Sequence, residues 1–83
     1  MNTYSATVTV RLKSGVLDPE AETTKRALER LGFELDALRS VDQFELELPA
    51  ESESAAAETV TEMAERLLAN PTLHDYDVTV ERR

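Results

Sequence analysis

The chain has 83 residues, enough for one domain with a thin core. Its formal net charge is −8, from 17 acidic and 9 basic residues, and that balance disfavours nucleic acid and anionic membrane surfaces as partners. It has no cysteine, which excludes a disulfide, a thiolate metal site and a thiol nucleophile. A domain this small without a covalent or metal staple gains extra burial by self-association, so an oligomer is expected. Lys13 and Lys25 are the only lysines, beside seven arginines, and this acidic, lysine-poor composition suggests a surface adapted to high salt. No apolar run approaches the roughly 20 residues of a membrane helix. Met1-Asn2-Thr3-Tyr4 has neither the basic region nor the apolar core of a signal peptide, so a cytoplasmic protein is expected.

Tyr4 to Lys13 is the clearest strand. Tyr4, Ala6, Val8, Val10 and Leu12 alternate with Ser5, Thr7, Thr9, Arg11 and Lys13, as in a sheet covered on one face. A turn at Ser14-Gly15-Val16-Leu17 leads into a helix. Asp18 is placed to cap it and Pro19 to occupy its first position, where the missing N–H costs nothing. Thr24, Ala27 or Leu28, and Leu31 mark its expected inward face, and Gly32 ends it.

Phe33 to Val41 reads as a second strand, with a bulge near Ala37 because Leu38 breaks the alternation. Asp42-Gln43 is then a hairpin turn into a short third strand, Phe44 to Leu48, stopped by Pro49. A second helix starts among Glu51, Ser52, Glu53 and Ser54. Its core stripe is Ala56, Val60, Met63, Ala64, Leu67 and Leu68. Asn70 is expected as its left-handed C-cap, before Pro71. From Tyr76 to Glu81 the period returns to two, with Tyr76, Val78 and Val80 inward.

The predicted order is β-α-β-β-α-β over a single domain spanning 1–83. That is an α+β two-layer sandwich: a four-stranded antiparallel sheet with two helices on one face.

Little here points to chemistry. His74 is the only histidine and no ligand motif surrounds it, so it reads as a surface residue at a strand start. There is no Gly-x-Ser-x-Gly elbow and no Gly-rich phosphate loop. An acyl-phosphatase-like site, with Arg11 or Arg39 and Asn70 on a phosphate, is opposed by the acidic loop at Asp18 and Glu20. No catalytic residue and no metal ligand is assigned.

Three segments together carry a resemblance. They are Leu12-Lys13-Ser14-Gly15-Val16-Leu17-Asp18-Pro19-Glu20, then Leu31-Gly32-Phe33, then Leu67-Leu68-Ala69-Asn70-Pro71 with Asp75-Tyr76. In order and spacing, over nearly the whole chain, they resemble the PurS-type small subunit family of phosphoribosylformylglycinamidine (FGAM) synthase. Two departures stand out. Ala21 replaces the family's usual Gly, and Val41-Asp42 stands where Gly-Lys is usual after the arginine matched by Arg39.

The resemblance implies a subunit of a glutamine-hydrolysing carbon–nitrogen ligase of purine biosynthesis. That enzyme converts formylglycinamide ribonucleotide to the amidine. In it, a PurQ-type glutaminase releases ammonia and a large PurL-type synthetase uses it. ATP, Mg and glutamine belong to those partners, with no cofactor in this chain. The small subunit is implied to be a non-catalytic homodimer or homotetramer that helps assemble the other two and aids ammonia transfer. Lys13, Asp18, Pro19, Arg39, Asn70, Pro71 and Tyr76 are the candidate contact positions; capping and packing alone also account for Asp18, Pro19, Asn70 and Pro71. A stand-alone homo-oligomeric ligand-sensing module of similar topology is the alternative.

Overall fold

The alternating segment at the N-terminus forms β1 (Asn2–Leu12), the centre of the molecule in a computed structural model that describes residues 1–83. After it come α1 (Pro19–Arg30), β2 (Val41–Ala50), α2 (Glu53–Met63), a π-helical turn (Ala64–Leu68) and β3 (His74–Arg82). The sheet has three strands in the order β2-β1-β3, both pairings antiparallel. Val8 lies between Phe44 on β2 and Val78 on β3, so the apolar residues of all three strands share one face.

The expected four-stranded sheet is therefore corrected to three. Residues 33–40 form no strand, and the expected turn at Asp42-Gln43 lies inside β2, paired with Val10 and Thr9. Tight hairpins need residues that take positive φ, and Asp42-Gln43 offers no Gly or Asn. Neither edge of β1 remains open for another strand. Pro49 does not stop β2, which continues to Ala50; on an edge strand a missing N–H is tolerated.

Topology then decides where the helices go. β2 and β3 both run antiparallel to β1, so they are parallel to each other, and α2 must carry the chain back along the sheet. It does so against the apolar face. Ala56, Val60 and Ala64 are fully buried there with Val8, and the small side chains let helix and sheet approach closely. Burying a valine such as Val8 or Val60 contributes roughly 1.5–3 kcal/mol. Ser52 caps α2 by accepting the Ala55 N–H at 3.1 Å.

The β1–β2 connection leaves and re-enters at the same end of the sheet, so nothing obliges α1 to cross the face. It does not, and the expectation of two helices on one face is corrected to one. Among α1 residues only Ala21 is buried; Thr24, Ala27 and Leu31 of the expected inward face are exposed. The helix projects as an arm, with residues 33–40 returning beside it and the Lys25 ammonium donating to the Asp36 carbonyl at 3.4 Å. The molecule measures 52 × 27 × 15 Å. A strand as long as β1 spans about 37 Å and a helix as long as α1 about 18 Å, so the long axis is sheet and arm end to end. The radius of gyration is 16.4 Å, against about 12 Å for a compact chain of this length. No helix is long and apolar enough to cross a membrane.

Candidate interaction surface

Three connections converge beyond the C-terminal end of β1. They are residues 13–18, residues 31–40 and residues 69–73. Six of the seven predicted contact positions lie in or beside them.

The first loop turns through Gly15, whose φ of +85° is a left-handed conformation that side chains disfavour. It delivers Asp18 to the start of α1, where Oδ1 accepts the Ala21 N–H at 3.1 Å with Pro19 opening the helix. The cap and the N1 proline thus stand as expected. The far end of α1 closes in a Schellman motif. Phe33 N–H donates to the Leu28 carbonyl and Gly32 N–H to that of Glu29, with Gly32 at φ +99°. This turn presents Leu31 and Phe33 at the tip of the arm, 74% and 60% exposed.

Asn70 differs from expectation. No residue other than glycine has positive φ, so Asn70 is not a left-handed cap. The helix ends instead in the π turn, where Ala69 N–H reaches the Ala64 carbonyl. Asn70 builds the next turn: its Oδ1 accepts from Thr72 N–H and its carbonyl from Leu73 and His74 N–H, while its own N–H donates to His74 Nδ1 at 3.0 Å. Pro71 takes the second position of that turn, where its fixed φ fits. The wider π turn also shifts the helix phase. Leu68 and Ala69 turn inward while Leu67, expected in the core stripe, is 85% exposed.

Lys13, Asp18 and Arg39 line one open cleft of about 250 Å³ between the first loop, α1 and the returning segment. Lys13 is also tied to β3, its N–H donating to the Leu73 carbonyl and its ammonium lying 3.3 Å from Asp75. Exposed pairs of this kind contribute little stability. Pro19 lies beside the cleft, Asn70 and Pro71 across the same end of the sheet.

Tyr76 is not part of the cleft. It stands opposite Val10 and its phenol donates to the Glu65 carboxylate at 2.9 Å. That hydrogen bond, then desolvation and the carboxylate's charge, raise its pKa above the usual tyrosine value. Tyr76 therefore fastens the π turn to β3.

Sequence reasoning missed Lys25 and Leu38 in the cleft, the exposed Leu17 (85%) and the acceptor role of His74. Lysine scarcity was the available signal for the first, since both lysines of the chain line this one cleft. Nothing local marks the others.

Comparison with known proteins places this arrangement. The family model described as PurS, phosphoribosylformylglycinamidine (FGAM) synthase, matches residues 5–82. The phosphoribosylformylglycinamidine synthase subunit PurS of Methanocaldococcus jannaschii is 42% identical over 80 residues, covering 95% of this chain and 96% of that protein. The crystal structure of that PurS superposes with a TM-score of 0.86 over 96% of this chain and 98% of its own. A chain in the structure of PurLQS from Thermotoga maritima gives 0.89 at 34% identity, covering 98% of this chain and all of its own. Matched in sequence and in fold over nearly its whole length, the chain belongs to the PurS family of FGAM synthase.

Proposed function

We propose that the protein is the non-catalytic small subunit of FGAM synthase in purine biosynthesis, joining a PurL-type synthetase and a PurQ-type glutaminase. The observation that carries this reading is the near full-length match to a chain of the PurLQS structure. The chain's own chemistry supports it. A glutaminase of that kind uses a cysteine nucleophile, and the sequence has none. An ATP site needs a phosphate-binding loop, and the only glycines are Gly15 and Gly32. ATP, Mg and glutamine are accordingly assigned to the partner subunits, within the cytoplasm.

Self-association as a homodimer or homotetramer belongs to the same reading. The arm leaves Leu17, Leu31 and Phe33 open to solvent in a chain whose buried core is small. Surface of this kind is what a subunit interface covers. The ligand-sensing alternative is not favoured, since the relatives compared are synthase subunits throughout.

Reconstitution tests the assembly role. The large and glutaminase subunits from the same source are assayed with and without this chain at high salt, with glutamine or with ammonia. The chain is expected to raise the glutamine-dependent rate and leave the ammonia-dependent rate unchanged. No effect on either, with no co-elution, rejects the assignment.

A further inference from the structure

The chain is strongly acidic, yet one cleft gathers both of its lysines and an arginine: Lys13, Lys25 and Arg39. Two carboxylates also line it, and both are locally engaged. Asp18 accepts the Ala21 N–H at the start of α1, and Glu22 lies 3.7 Å from Arg26. The cations are less satisfied. Arg39 is exposed and makes no ion pair, and Lys25 reaches only the Asp36 carbonyl, at 3.4 Å. Leu12, Val16 and Leu38 supply apolar wall between them.

We infer that this cleft is the docking site for an acidic segment of a partner subunit, whose Asp or Glu side chains pair with Lys25 and Arg39. The inference deepens the assembly role proposed above and rests on it. Charge complementarity argues for the occupant, because positive surface on so acidic a chain attracts carboxylates at a defined place while the remaining surface repels them. A two-fold axis passing through this cleft brings the cationic groups of the two copies close to one another, which disfavours a second copy as its occupant. The carboxylates of Asp18 and Glu22 repel a compact dianion such as phosphate, whereas a peptide spaces its charges along the cleft. Lys13, already beside Asp75, contributes its field more than a contact.

The test is binding of the intact chain to the large and glutaminase subunits from the same source, with nucleotide and glutamine present, across a range of salt. Lys25→Glu and Arg39→Glu are compared with Arg82→Glu, the same charge change at the opposite end of the sheet. Lys25→Gln and Arg39→Gln serve as milder variants, and circular dichroism monitors the fold. Each cleft reversal is expected to weaken binding roughly tenfold or more and to flatten its salt dependence, with Arg82→Glu within about twofold of the parent chain. Equal losses in all three reduce the effect to net charge and overturn the proposal. Unchanged binding of the cleft variants overturns it too. A changed mass of the isolated chain in light scattering assigns the cleft to a second copy instead. If the unaltered chain binds neither subunit, the assembly role itself fails, and that result is distinct from every variant-specific outcome.

Discussion

Tyr76 is legible as an inward strand residue, but its partner is not. The phenol finds Glu65 eleven positions earlier because the π turn folds back over β3. The donated hydrogen bond favours the protonated phenol, so the folded-state pKa lies above the unfolded one. The sign follows: with Glu65 ionised, this contact contributes stability below the unfolded value of about 10 and is lost as pH rises through the raised value. Alkaline absorbance titration of Tyr76, in a Tyr4→Phe background that removes the other tyrosine, is expected to show a midpoint above the ordinary one. Glu65→Gln is expected to bring it back down; an unaltered midpoint removes the carboxylate from the explanation. Asp18 and Asn70 make the complementary point. Capping by Asp18 depends on four consecutive residues and was readable, whereas the conformation of Asn70 depends on how the helix before it ends.

Among the elements, α1 is the one whose existence and ends were plain and whose packing was not. Its polar sequence carries few apolar residues to bury, and Leu28 and Lys25 are only half covered. Leu31 and Phe33, held out by the Schellman turn, are exposed apolar side chains suited to anchor the self-association proposed above. Burying either side chain contributes roughly 1.5–3 kcal/mol, so Leu31→Asp or Phe33→Ser is expected to weaken the proposed homo-oligomer at least about tenfold. Light scattering over a dilution series reads this directly. An unchanged dissociation profile moves the interface away from the arm. The shift of Leu67 to the outside has a similar origin. Helical periodicity assumes a constant 3.6-residue turn, and one i→i+5 hydrogen bond after Ala64 displaces every later residue around the axis.

For the molecule as a whole, charge and shape act together. A net charge of −8 on an elongated chain with a thin core opposes the folded state through self-repulsion. Salt screens that repulsion, with a Debye length falling from about 10 Å at 0.1 M to about 3 Å at 1 M. The melting temperature is therefore expected to rise by about 5 °C or more over that range, equivalent to roughly 1 kcal/mol for a domain of this size. A flat or falling melting temperature contradicts the high-salt reading of the composition.

The cores of the three strands, the start of α1 and the inward parity of Tyr4 to Leu12, Phe44 to Leu48 and Tyr76 to Val80 followed from local pattern, because alternation and capping are properties of neighbouring residues, while the family entered as a resemblance carried by three segments of the chain. Strand number, the free arm, the phase of the second helix and the gathering of Lys13, Lys25 and Arg39 were decided only by the tertiary structure. Apart from the helix phase, which the π turn sets, each depends on which strands lie on either side of β1. Once β2 and β3 take both of its edges, residues 33–40 have no place beside it, the β1–β2 connection returns to the end it left, and the cleft forms where that connection folds back on itself.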